Sequence, residues 1–188
     1  EQVEWTPVER HLLGAIGPRP IAFASTIDAE GNRNLSPFSF FNVFSAAPPI
    51  MIFSPARSGR TGAHKDTYHN VKQVPEVVIN VVNYDILHQA SLSSSPYAAG
   101  VDEFVKAGFT PVASDTIRPF RVKESPVQFE CKVNQVIELG EHVNLIGIKE
   151  SSGDVEKVGR MVDATRHVKR SATVTETFDA VTPRMIAA

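Results

Sequence analysis

The loop Ser54-Pro-Ala-Arg57-Ser-Gly-Arg-Thr-Gly-Ala-His-Lys65-Asp66-Thr67 gathers the residue types best suited to binding chemistry. Arg57, Arg60 and Lys65 stand among Ser58, Gly59, Thr61 and Gly62. Arginine holds anionic oxygens in a planar fork, and glycine lets backbone amides approach closely, so the combination suits a phosphate. Lys65-Asp66-Thr67 opens a predicted helix, with Asp66 or Thr67 as its cap and free amides facing forward. A solvated basic loop has the same composition, and a lone basic pair would favour that blander reading.

Upstream, residues 34–54 read NLSPFSFFNVFSAAPPIMIFS and hold five of the eleven Phe residues. Ser36, Ser39, Asn42 and Ser45 are interleaved with the rings. Aromatic side chains supply contact area and a few polar groups fix orientation, which is what a wall against a flat aromatic ligand needs. A Phe-rich core hairpin edged by Pro37, Pro48 and Pro49 is the competing reading, since each proline lacks a backbone donor. An aromatic wall followed by a phosphate-type loop points to a phosphorylated flat ligand.

Other chemistries find less support. The six histidines show no metal-ligand spacing; His64 and His69, five apart, read as surface or capping residues. The single cysteine, Cys131, rules out an intrachain disulfide framework and a Cys-rich metal site, and its place in an alternating segment makes it a small buried hydrophobe. No GxGxxG dinucleotide fingerprint occurs. A net charge of −2 gives no reason to expect nucleic acid or an anionic membrane surface. No apolar run approaches the roughly 20 residues of a membrane span, and EQVEWTPVER has no signal-peptide pattern. The expected location is the cytoplasm. The length of 188 residues and 42% hydrophobic content fit one domain over residues 1–188 with its own core.

The elements that must position these residues are mostly strands. A short N-terminal segment runs to Leu13, and a loop containing Gly14, Gly17, Pro18 and Pro20 follows. Ile21–Ile27 reads as a buried strand, and Asp28-Ala-Glu-Gly31-Asn32 as a hairpin turn. Further strands are expected at 34–42 and 50–54. The helix after Lys65 should stop near Val74, ahead of Pro75. The β-branched run EVVINVV, 76–82, predicts a central strand. Helical spacing is expected over 85–92, one or two turns over 102–107 ending at Gly108, and irregular chain over 109–123. Val127, Phe129, Cys131 and Val133 alternate with polar residues at strand period, and a hairpin should return across Gly140. Many short strands and few short helices predict a mainly β chain, an antiparallel Greek-key barrel.

RPIAFAST (19–26), NLSPFSFFN (34–42), PPIMIFS (48–54) and KDTYHN (65–70), in this order, resemble the flavin reductase-like FMN-binding split-barrel family, flavoredoxin-type members included. Asp102-Glu-Phe104 and the alternating segment 124–139 are similar to the same family, so the resemblance spans about residues 12–140. It implies FMN held along Pro37, Phe38, Ser39, Phe40 and Asn42, with amides near Ser39 and Phe40 stabilising charge on the ring. Ser25 and Thr26 would meet the ribityl chain or pyrimidine side. Ser54, Arg57, Lys65 and Thr67 would hold the phosphate, and Arg19 would stabilise an anionic flavin or the phosphate. Trp5 or Tyr97 would either cover a flavin face from a partner subunit or simply pack.

The implied function is NAD(P)H-dependent flavin reduction in a homodimer, with NADH or NADPH as transient donor and reduced flavin passed to a monooxygenase. A flavoredoxin-like electron-transfer protein and a non-catalytic FMN-binding protein are the alternatives. No acid or base is required, so no catalytic residue is assigned. The segment 141–188 is atypical of the family. Within it, Gly147-Ile-Lys149 is similar to the Schiff-base segment of dihydrodipicolinate synthase-type aldolases, but the roughly 250 residues of their barrel are absent. A surface turn over 151–154 followed by a helix is expected instead, and Val158–Met161 as the counterpart of the family's terminal Arg motif.

Overall fold

The computed structural model describes residues 11, 13–58, 61–98, 100–139 and 143–150, the last group through its backbone. They lie within one compact unit, Glu1–Gly153. Trp5, Arg60, the turn expected at 151–154 and the Val158–Met161 segment lie outside the described residues.

Among the described residues nine strands are formed: β1 Ala22–Ile27, β2 Arg33–Phe38, β3 Phe41–Ala46, β4 Pro49–Phe53, β5 Glu76–Val81, β6 Pro111–Val112, β7 Arg121–Val122, β8 Gln128–Leu139 and β9 Val143–Glu150. The three helices used below are α1 Asp66–Gln73, α2 Leu87–Leu92 and α3 Glu103–Ala107. Seven strands make one sheet in the order β2-β1-β5-β8-β9-β4-β3, antiparallel at every pairing. The chain leaves β4, crosses through α1 and returns as β5 beside β1, the crossover expected of a Greek-key arrangement.

The sheet must curl. Its two open edges, β2 and β3, are consecutive in the chain and joined only by Ser39 and Phe40. Three virtual bonds reach at most ~11 Å, so the edges meet at that end. Beyond it no β2–β3 ladder forms, and the result is a split barrel. Ring centroids of Phe38 on β2 and Phe53 on β4 lie 5.5 Å apart, bringing the two ends of the sheet together.

Two cores follow from the alternation of side chains along β1. Ala22 and Ala24 join Phe38, Phe53, Ile79 and Cys131 inside the curl, with Val71 of α1 as a plug. Phe23 turns the other way and packs with Leu35, Ile86, Phe104, Phe109 and Val122 under α2 and α3. All six residues of β1 are buried because it is covered on both faces. β5 is central as expected, between β1 and β8, with Val77, Val78 and Ile79 fully buried.

The structure departs from expectation in four places. The predicted strand over 34–42 breaks at Ser39–Phe40, because the chain there passes from one sheet edge to the other. The cap of α1 is Lys65, not Asp66 or Thr67; Asp66 sits in the first turn, where a negative charge suits the helix dipole, and the Thr67 side chain turns inward. The stretch 109–123 contains the small hairpin β6–β7. It is tied to the sheet by Asn80, which donates to the Phe23 carbonyl at 3.0 Å and accepts from the Val122 amide at 2.9 Å. Glu130, on the face of β8 expected to be solvated, is buried and accepts from the amides of Asp115 and Thr116 at 2.9 and 2.7 Å.

The return across Gly140 is present as β9, which pairs with both β8 and β4. Lys149 is opposite Ile50 and Lys132 in those ladders, a strand position in a split barrel and not the interior of a (β/α)8 barrel.

Candidate functional site

A cleft of about 790 Å³ runs along the open edge of β2. Asn34 and Ser36 of β2 form its floor, the loop after β4 and the start of α1 one wall, and Ser93–Tyr97 with Glu103 the other. Its volume lies in the range of small-molecule sites.

Two of the predicted site residues meet here, Arg57 and Lys65. Arg57 donates to the Gly62 carbonyl at 3.4 Å, while its Nε is buried with no hydrogen-bond partner among the described residues. Lys65 is half-buried over the Phe38 ring, its Nζ 5.4 Å from the centroid. Burial alone pushes the Lys65 ammonium below its ordinary range, and no carboxylate pairs with it among the described residues. A partly desolvated cation without a counter-charge is costly, and an anionic ligand here would offset that cost. As the N-cap of α1, Lys65 makes no side-chain cap bond, and the first-turn amides of α1 add a favourable partial charge beside it.

The other predicted residues fall into two further groups. Thr26 and Thr67 are fully buried beneath the cleft and belong to one polar network. Asn34 Nδ2 donates to Thr67 Oγ1 at 2.9 Å and to Thr26 Oγ1 at 3.3 Å, and Asn70 Nδ2 donates to Thr26 Oγ1 at 3.1 Å. The network pins α1 to β1 and β2 and so sets the position of Lys65. Ser25 is also fully buried, and its Oγ has no partner among the described residues. Ser54 is buried, and its amide donates to the Phe40 carbonyl at 2.8 Å.

The third group lies at the corner between the sheet edges. Arg19 donates through Nε to Ser39 Oγ at 3.4 Å and through Nη1 to the carbonyls of Leu13 and Ile16. Its guanidinium stands 5.7 Å from the Phe40 ring centroid, and Phe40 is exposed. Pro37 and Phe38 end β2, with Phe38 in the inner core; Asn42 is exposed on β3 and accepts from the Val43 amide at 2.8 Å. This corner offers aromatic surface and a cation, apart from the two cations lining the cleft.

Asn34, Ser36, Glu103 and the hydroxyl run Ser93-Ser94-Ser95 line the cleft beyond the predicted set. The serines read as an ordinary loop because the cleft is assembled from segments about 60 residues apart in sequence, by topology alone. Glu103 accepts from the Leu35 amide at 3.1 Å, an edge donor of β2 that the β1 ladder leaves outward. Burial, with smaller additions from Asp66 and Asp102, pushes its carboxyl up to about 7.

His64 stacks on Tyr68, ring centroids 4.0 Å apart, and Tyr68 donates to Glu138 of β8. That bond holds the Glu138 carboxyl below its ordinary range and the Tyr68 phenol above. Tyr97 lines the cleft and donates to the Leu92 carbonyl at 3.3 Å. Among the described residues no group of His, Cys, Asp or Glu could hold a metal ion, and no helix is long and apolar enough to cross a membrane.

Comparison with known proteins agrees with this fold. BH2278, an uncharacterized protein of Halalkalibacterium halodurans, is 39% identical over 131 residues, covering 70% of this chain and 62% of that protein. The chain thus spans about three-fifths of the length of that relative. The crystal structure of nitrilotriacetate monooxygenase component B from Bacillus cereus superposes with a TM-score of 0.72 at 28% identity, covering 78% of this chain and 75% of that one. The 2-nitrobenzoate 2-nitroreductase of Pseudomonas fluorescens gives 0.69 at 27%, covering 79% and 71%. The family match continues past Gly140, where β9 completes the sheet. The chain belongs to the flavin reductase like domain family, whose model matches residues 15–170.

Proposed function

We propose that this protein is an FMN-binding, NAD(P)H-dependent flavin reductase. The observation that carries the reading is the pairing of Arg57 and Lys65 in one cleft, partly buried and without carboxylate partners among the described residues, at the start of α1. That donor set fits a phosphate ester: a fork, a point charge and helix amides. Lys65 also reaches toward the ring of Phe38, the core residue just before the Ser39–Phe40 corner. The phosphate would sit between Arg57 and Lys65, with Thr67 holding α1 in place through Asn34. The ring would extend toward Ser39 and Phe40, where Arg19 supplies a positive charge beside an exposed aromatic face.

The bound isoalloxazine supplies the redox chemistry. The chain's own work is to orient it and offset negative charge on it, so no side chain need act as acid, base or nucleophile. Exposed Val43 and Phe44 on edge strand β3 support a homodimer, since such residues are ordinarily covered by a partner. The similarity to a monooxygenase component B supports a monooxygenase as recipient of the reduced flavin. We place the protein in the cytoplasm and read residues 1–188 as one domain.

Anaerobic mixing of FMN-loaded protein with NADH and, separately, NADPH tests the reading. Bleaching of the oxidised-flavin band with either donor is the expected result. Retained flavin that neither donor bleaches would replace the reductase with an electron-transfer flavoprotein.

A further inference from the structure

The cleft that gathers Arg57 and Lys65 also contains a carboxylate with no evident role in holding an anion. Glu103 opens α3, fixed there by the Asp102 N-cap, whose carboxylate accepts from the Phe104 amide at 2.9 Å. It is 9% exposed and lines the same cleft as the two cations. Arg33, across on β2, is already taken by the neighbouring Asp102, which it pairs with at 2.5 Å. Among the described residues Glu103 itself has no ion pair, and its carboxylate accepts from backbone amides, its own and that of Leu35.

A carboxylate at this place repels the phosphate that the cleft otherwise attracts. We propose that Glu103 makes the cleft proton-linked: a phosphate-bearing flavin binds together with one proton, which the Glu103 carboxylate takes up. The inference rests on the flavin reading above. The free cleft already holds the Glu103 carboxyl near the point of half-ionisation at neutral pH, through burial and the neighbouring Asp66 and Asp102. An added phosphate is a further like charge and raises it again. Coupling is reciprocal, so protonation of Glu103 must strengthen binding by the same factor.

The charged and titratable surroundings are Asp66 and Lys65 at the start of α1, and Arg57 and His64 on the loop. Arg33 on β2 is bound to Asp102, Lys106 lies on α3 itself, and α2 carries His88. Three titrations bear on the sign: those of the flavin phosphate, His64 and Lys65. The flavin phosphate loses its second proton near pH 6, which favours the cations and would tighten binding as pH rises. His64, if it acted, would weaken binding as pH rises, but burial holds it below its ordinary 6.5, so its window is lower. Lys65, whose ammonium burial holds below its ordinary range, also loses charge as pH rises, so loss of the dependence in Glu103→Gln is what assigns the weakening to Glu103.

The test is FMN affinity by quenching of flavin fluorescence from pH 6.5 to 8.5, with riboflavin as the phosphate-free probe. FMN should bind about tenfold more weakly at the upper end, approaching one proton per ligand, while riboflavin stays flat. Glu103→Gln, which keeps the acceptor for the Leu35 amide, should abolish the dependence; His64→Gln should keep it. FMN binding that is flat or tightens with pH overturns the proposal, as does dependence lost in His64→Gln and kept in Glu103→Gln. Calorimetry of the unaltered protein in two buffers of different ionisation enthalpy gives the proton count even where Glu103→Gln does not fold; net release overturns the proposal. FMN that binds at no pH removes the flavin reading and this inference together. FMN bound without proton uptake removes only the inference.

Discussion

Three side chains set the character of the cleft, and burial sets the character of all three. Lys65 and Arg57 are cations that the fold half-covers with no ion pair among the described residues, and Glu103 is a buried acid likewise without one. For Glu103 the consequence reaches stability. Its carboxyl is raised from 4.5 to about 7, so the fold favours the protonated form. Below pH 4.5 folded and unfolded chains are both protonated there and no penalty exists; the penalty grows as pH rises through about 7. At about 1.4 kcal/mol per pH unit the shift amounts to about 3 kcal/mol. Chemical denaturation of Glu103→Gln should match the unaltered protein at pH 4.5 and exceed it by up to that amount at pH 8. Equal stability at pH 8 would show the carboxylate to be better solvated than the geometry indicates. The basic loop was legible in the sequence from Arg57 and Lys65 alone. Glu103 was not, because its burial and its Leu35 partner, 68 positions away, are created by the fold.

At the scale of elements, buried amides and carboxylates do the joining. Asn80 holds β7 against β1 and β5, and Glu130 holds the turn before β7 against β8. Asn80→Ala leaves the buried Val122 amide unsatisfied and should cost about 1–3 kcal/mol, read by thermal unfolding, with FMN affinity unchanged. A loss of affinity instead would mean that β6–β7 helps shape the cleft. Strand period identified β1, β5 and β8, since each buries an alternating or continuous apolar set. The break at Ser39–Phe40 escaped notice because nothing local ends the strand there: Phe38, Phe40 and Phe41 read as one run. What separates them is the return of the sheet on itself, a long-range event. Glu130 escaped for a similar reason, as a polar residue at an outward strand position whose partners lie on a distant loop.

At the scale of the whole molecule, an open sheet leaves β2 and β3 as edges, and the protein treats them differently. Along β2 the cleft, α1 and α3 cover the edge, and Glu103 accepts one of its free amides. Along β3 no described element covers the edge, and Val43 is 61% and Phe44 65% exposed. An uncovered apolar edge strand invites association. On the dimer reading, sedimentation should give a dimer for the unaltered protein and a monomer for Phe44→Glu; a monomer for both would remove β3 as an interface. The central claim is that Arg57 and Lys65 form the phosphate site of a flavin. Its most direct test compares FMN with riboflavin at pH 6.5 in the unaltered protein and in Lys65→Met. FMN should bind more tightly than riboflavin, and the substitution should weaken FMN about 10- to 100-fold with little effect on riboflavin, the worth of one charge-assisted contact. Equal affinities for the two ligands, or an equal loss for both in Lys65→Met, would contradict it.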